Sequence, residues 1–227
     1  MFGGSAQLPL TITTAGGAGL SAAAQHSQSL EAMLCHVPGL KVVMPATPYD
    51  MKGLLIASVR ENNPTVLVQH KRMFGVKGDV PEDLYEVPLG LARVTRAGTD
   101  VTIVSYSRMA DESLKAAGLL ADEGVDCEVI DLRTVSPLDI DTVVESVRKT
   151  NRVVVVHEAV RFSGLGAEIA AQVQELAFDH LDAPVARVGA PYSPVPFSPA
   201  LESHYVPDAD RIATEIRTTV QGLVSGS

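Results

Sequence analysis

Basic residues are the scarcer charge in this 227-residue chain: 18 lysines and arginines stand against 27 aspartates and glutamates, a formal net charge of −9. Phosphate backbones are bound by clustered lysine and arginine, so the deficit argues against nucleic acid as a partner. Cysteine is scarcer still. Cys35 and Cys127 show neither CxxC nor Cys/His ligand spacing and sit in apolar segments, so they read as buried free thiols of a reducing compartment. No apolar run is long enough to cross a bilayer. The opening MFGGSAQLP lacks a basic stretch followed by an apolar core, the pattern of a secretory signal.

What is present is an ordinary globular composition, 46% apolar and 20% charged, long enough to bury a core as one large domain or two small ones. Strand-like runs occur at 8–14, 40–45, 64–69, 101–106, 127–132, 152–158 and 183–189. They are rich in Val and Ile and nearly continuous in apolar character, as parallel strands covered on both faces are. Helical patterns fall between and after them, at 29–36, 48–62, 110–124, 139–150, 164–180 and 208–223. The alternation predicts an α/β protein with right-handed crossovers. The charged, proline-containing stretch KGDVPEDLYEVPLG has no sustained period and reads as a linker, placed at 76–95, between a unit at 1–75 and another at 96–227. The first unit has only three predicted strands, few for a doubly wound sheet, and the chain enters its first strand almost at once. It is expected to be part of a domain whose beginning lies upstream.

Several stretches could carry chemistry. GGAG after the first strand could bring backbone N–H groups to a phosphate, but it is neither GxGxxG nor a P-loop; a tight turn is the better expectation. His26 precedes Ser27, a candidate cap for a helix beginning near Gln28, which would hold the imidazole at the positive end of a helix. On spacing alone His26 is either a hydrogen-bonded structural histidine, the commoner use, or a proton donor and acceptor. His36 is too distant in sequence for an i, i+4 metal pair. His157 and Glu158 end a strand and read as solvated loop residues at a subunit contact. The proline-dense PYSPVPFSP, residues 191–199, reads as an extended surface strip suited to another chain.

Taken together, HSQSLEAMLCHVPGLKVVMPATPYDMKGLL, RENNPTVLVQHK, EVIDLRTVSPLDIDTVVESVRKT, VVVVHEAV and DAPVARVGAPYSPVPFSPALESHYVPD resemble the β subunit of the thiamine-diphosphate-dependent decarboxylase component of 2-oxo acid dehydrogenase complexes. The pyruvate and acetoin members look nearest, the branched-chain members further. The resemblance implies the C-terminal part of a transketolase-like pyrimidine-binding domain followed by a transketolase C-terminal α/β domain. It implies an α2β2 assembly with an α subunit, a dihydrolipoyl acyltransferase core as partner, and a bacterial cytoplasmic or mitochondrial-matrix setting. The cofactor would be thiamine diphosphate, its diphosphate and magnesium held by α. The family's HSQ histidine serves acyl transfer to the lipoyl group, and that role falls on His26. The family's glutamate for the aminopyrimidine would lie upstream of Met1. A potassium ion found in some members would fall near Glu61 and Asn63, where Glu61 stands in place of the usual aspartate. Pyruvate is the expected substrate. A single-chain transketolase or deoxyxylulose-phosphate synthase relative and a non-catalytic docking module are the alternatives.

Overall fold

A computed structural model of the chain describes residues 3–221. The Met1–Phe2 part of the MFGG opening and residues 222–223, the end of the last predicted helix, lie outside the described residues. The chain forms two sheets. The first contains β1 (Thr11–Gly16), β2 (Lys41–Val43), β3 (Thr65–His70) and β7 (Thr134–Ser136), in the order β1-β3-β2-β7. The second contains β4 (Arg93–Arg96), β5 (Val101–Ser105), β6 (Cys127–Asp131), β8 (Val153–Val160) and β9 (Ala186–Ala190), in the order β4-β6-β5-β8-β9. Pairing is parallel except for β7 on β2 and β4 on β6. Two elements depart from the sequence reading. The segment expected to be linker ends in β4, and β7 leaves the second unit to pair with β2, so the first sheet takes a strand from beyond the linker.

Local chemistry sets the helix ends. α1 spans Glu31–Cys35 and α2 spans Pro48–Arg60. Thr47 accepts the Asp50 N–H at 3.0 Å while Pro48 takes the first turn of α2, where no N–H is needed. α3 (Arg108–Ala121), α4 (Ile140–Thr150), α5 (Leu165–Ala177) and α7 (Ala209–Val220) cover the second sheet, and α6 (Pro199–Tyr205) follows the proline strip. Asp139 caps α4 through the Thr142 N–H, and Asn151 ends it in the left-handed conformation, φ 59°.

The apolar faces of these helices explain the layering. Met109, Ala116, Ala117 and Leu120 of α3 join Ile212, Ala213 and Ile216 of α7 on one face of the second sheet. Val143, Val144 and Val147 of α4 join Ile169 and Val173 of α5 on the other. β8, VVVVHEAV, is buried from Val153 to Ala159 because it lies between the two layers. The α4/α5 core continues into the first sheet through Val42, Met44, Val66 and Val68, which share it with Tyr106, Ile130 and Leu132. Each such side chain contributes about 1.5–3 kcal/mol when fully buried, so this shared core fixes one sheet against the other. Among the described residues no helix is long and apolar enough to cross a membrane.

Candidate active site

β1 ends at Gly16, and the chain turns through Gly17, Ala18 and Gly19 before a short 3-10 turn, Ala24–His26. Glycine is needed here. Gly17 has φ +88°, and a Cβ there would stand 2.3 Å from His70 Nε2; Gly19 has φ +95°, with its Cβ position 2.5 Å from Arg72 Cδ. Ser21 and Ala23 also take positive φ, 52° and 57°, a conformation that costs a side-chain-bearing residue about 1–2 kcal/mol. The turn's donors are already satisfied. Gly17 N–H donates to the Gln28 carbonyl at 3.1 Å, Ala18 N–H to Glu158 Oε1 at 2.6 Å, and Gly19 N–H to Glu202 Oε1 at 2.7 Å. GGAG is therefore a tight turn whose N–H groups at 17–19 meet one backbone carbonyl and two protein carboxylates, and it offers no cradle for phosphate.

His26 ends the 3-10 turn and is exposed. Its expected setting is corrected in one respect: α1 begins only at Glu31, with Leu30 in the capping position and no side-chain cap. Ser27 caps nothing; it is buried and its Oγ has no partner. His26 therefore does not directly precede a helix N-terminus. The imidazole instead lines a groove of about 590 Å³ whose wall is built from Ile12, Val66 and Val68, with Gln28, Lys71 and Glu31 also lining it.

Glu31 is buried below this groove, where desolvation raises its carboxyl above the usual carboxylate range. Tyr106 Oη donates to its Oε1 at 2.8 Å, and its Oε2 has no partner. Both Glu31 and Gly16 also line a small cavity next to His70, Tyr106, Arg108 and Glu158. There His70 Nδ1 accepts the Arg72 N–H at 3.2 Å. In the neutral ring, Nε2 then carries the proton and donates it to Glu158 Oε2, 2.8 Å away. Arg108 Nη1 lies 3.6 Å from the same oxygen.

His157 and Glu158 are not solvated loop residues: both are buried within β8. Strand β8 runs farther than its apolar letters suggest, carrying the polar pair inside. His157 Nδ1 donates to the Ala159 carbonyl at 3.0 Å, and burial lowers its pKa to about 4, leaving the ring neutral. Glycines make room for it; a Cβ at Gly166 would come within 2.5 Å of His157 Nε2. Cys127 is buried and Cys35 half-buried, both free, and burial pushes their thiols to about 11 and about 12. Residues 191–198 run without helix or strand and Val195 alone is buried, but Pro199 opens α6 instead of extending the strip.

Glu61 lies at the end of α2, away from the groove, ion-paired to Lys41 through Oε2. Its Oε1 accepts the Asn62 N–H and the Asn63 amide at 2.9 and 3.0 Å. No cluster of three or more His, Cys, Asp or Glu suited to a metal occurs among the described residues. His26 stands out in the sequence, whereas Glu31, which lines the same groove, and His70, Glu158 and Glu202, which hold the chain leading to it, do not stand out there as parts of a site. Only the fold brings these together, since Glu158 and Glu202 lie 140 and 183 residues from the backbone donors they bind.

Two α/β sheets that share a core, with a histidine-bearing loop of one seated on carboxylates of the other, define a two-domain α/β protein with its candidate site at strand ends near the junction. Family models for the transketolase pyrimidine binding domain and the transketolase C-terminal domain match residues 1–76 and 90–212. The chain belongs to the transketolase family. It is 50% identical over 222 residues to the acetoin:2,6-dichlorophenolindophenol oxidoreductase subunit beta of Cupriavidus necator, covering 98% of this chain and 66% of that protein. It is 43% identical over 217 residues to the pyruvate dehydrogenase E1 component subunit beta of Rickettsia felis, covering 96% and 67%. A solved structure titled split gene transketolase, inactive beta4 tetramer, superposes with a TM-score of 0.80 at 25% identity, covering 96% of this chain and 68% of that one. The chain thus spans about two thirds of the length of the relatives it matches.

Proposed function

We propose that this chain works as the β subunit of a thiamine-diphosphate-dependent 2-oxo acid dehydrogenase, with His26 serving acyl transfer to a lipoyl group. The observation that carries this is the position of His26: exposed on the wall of an apolar groove, at the end of a loop fixed to both sheets. Relatives named as subunit beta of an acetoin:2,6-dichlorophenolindophenol oxidoreductase and of a pyruvate dehydrogenase E1 component support it.

Thiamine diphosphate fits this chain at its reacting end only. The groove offers an apolar wall for a heterocycle, Ile12 and Val66, with His26 and Gln28 as polar neighbours. The GGAG donors are already bonded to carbonyl and carboxylate oxygens, which is consistent with the family pattern, in which an α subunit of an α2β2 assembly would hold the diphosphate and its magnesium. When bound, the cofactor supplies the electron sink for decarboxylation. His26 has the simpler task of moving a proton. As a lipoyl disulfide opens, one sulfur takes the acyl group and the other leaves as a thiolate, to which the imidazolium can deliver a proton. The apolar wall limits water around this transfer. The lipoyl groups would come from a dihydrolipoyl acyltransferase core, in a bacterial cytoplasm or a mitochondrial matrix. Potassium at Glu61 and Asn63 does not fit, because the Lys41 ammonium already neutralises the carboxylate.

The test is His26→Ala in the complete α/β assembly. Decarboxylation read with an artificial electron acceptor stays near wild type, while reductive acylation of a lipoyl domain falls about 10²–10⁴-fold. An unchanged acylation rate in a folded variant returns His26 to a structural role. Pyruvate is the substrate expected from the resemblance. Acetoin is the second reading, favoured by two relatives of that name at 50% and 47% identity. Turnover of pyruvate against acetoin with 2,6-dichlorophenolindophenol as acceptor separates them.

A further inference from the structure

The loop that delivers His26 is held in an unfavourable path by side chains far away in sequence. Four of its positions, Gly17, Gly19, Ser21 and Ala23, have positive φ, and two of them bear side chains. Residues held in such conformations persist only where their surroundings over-determine them. Glu202 supplies much of that constraint. Its Oε1 accepts the Gly19 N–H at 2.7 Å, and its Oε2 accepts the Ser21 N–H at 2.7 Å and the Ser21 hydroxyl at 3.3 Å. Hydrogen bonds from backbone donors to an ionised carboxylate are among the stronger kind.

Glu202 is itself well anchored. It lies on α6 and is buried, while Tyr205 and Val206 beside it sit in the core between the second sheet, α3 and α7. Ala18 is buried in that same core, and Glu158 holds its N–H. The loop therefore leaves β1 of the first sheet, is pinned to the C-terminal unit at Ala18, Gly19 and Ser21, and reaches His26 within five residues of the last pin.

From this geometry we infer that Glu202 is a positioning residue for His26, acting through the backbone of residues 19–21 and not by contact with reactants. The inference rests on the catalytic reading of His26, and its test separates the two. Amide hydrogen exchange is followed for residues 17–26 in wild type, Glu202→Gln and Glu202→Ala. Gln keeps one acceptor oxygen but turns an NH2 toward the other N–H, whereas Ala removes both acceptors. Exchange of Gly19 and Ser21 should rise in the order wild type, Gln, Ala, reaching about tenfold or more in Ala, while β5 and β8 retain wild-type protection. If the Ala variant does not fold, the Gln variant, close in shape, carries the comparison. Wild-type exchange at Gly19 and Ser21 in a folded Gln or Ala variant overturns the inference.

In the assembled α/β complex, the same variants should lose lipoyl acylation in the same order and keep decarboxylation read with an artificial acceptor. A loosened loop with undiminished acylation, in a complex where His26→Ala abolishes acylation, overturns the positioning role and leaves the proposed function standing. If His26→Ala leaves acylation intact, the proposed function fails, and with it the catalytic meaning of the loosened loop.

Discussion

Burial sets the charge of individual residues here, in opposite directions for different groups. His157, lowered to about 4 from an ordinary 6.5, stays neutral inside β8. Between those values the unfolded chain binds a proton that the folded one refuses, so this group's contribution is present above pH 6.5 and lost as pH falls toward 4. Asp131 opposes it: raised to about 7 by burial, it binds its proton in the folded state, and its contribution is lost as pH rises through that value. The measured curve is their sum, so a difference isolates His157. We expect the stability gap between wild type and His157→Asn, from urea unfolding, to shift against wild type by on the order of 1 kcal/mol per pH unit as pH is lowered through the window. A gap independent of pH would show that the ring titrates normally. Gly17→Ala is a separate case. Positive φ and a Cβ position on the His70 ring should cost about 2–4 kcal/mol and displace His70 from Glu158, visible as a changed His70 imidazole NMR signal.

At the scale of elements, Asp139 does more than end a helix. Its carboxylate accepts the Thr142 N–H and hydroxyl at 3.2 and 2.8 Å, and its Oδ2 also takes the Ala92 N–H at 2.8 Å, tying α4 to the chain entering β4. Asp139→Ala should therefore exceed a simple cap loss, about 2 kcal/mol or more by urea unfolding, with faster amide exchange at Ala92. A cost below 0.5 kcal/mol would mean water replaces these bonds. The long elements were legible because their apolar runs and helical spacing are strong: β3, β5, β6, β8, α2, α4, α5 and α7 lie where the pattern puts them. β4 and β7 were not, since RVTR and TVS are too short to show a period and are strands only because β6 and β2 offer edges. The site divides the same way. His26 drew notice only through the resemblance of its HSQ block, since its spacing alone left a structural role open, whereas Glu31, buried by its fold, and Glu202, in a helix after a proline strip, carry no local sign of their partners.

For the whole molecule, the first sheet ends, among the described residues, on β1 at one side and β7 at the other. Among the described residues β3 is the one strand paired with β1, and Leu8, Leu10 and Ile12 on and before β1 are 57%, 45% and 46% exposed. Leu30 and Met33 add exposed apolar surface from the neighbouring α1 region. An apolar strand edge without charge or covering is a template for pairing with another chain. The net charge of −9 resists non-specific collapse but does not block the edge, because TITTAG carries no charged side chain. Alone in solution this chain should self-associate through β1: sedimentation velocity should show a weight-average coefficient that rises with concentration across the micromolar range. Leu10→Lys, which places a charge just before the strand and away from His26, should shift the population toward monomer without lowering the urea midpoint appreciably. A wild-type chain that sediments as one concentration-independent monomer would show that this edge is protected. Association unaffected by Leu10→Lys would move the contact elsewhere, with the exposed aromatic pair Phe162 and Tyr192, 4.9 Å apart, as the next surface to alter.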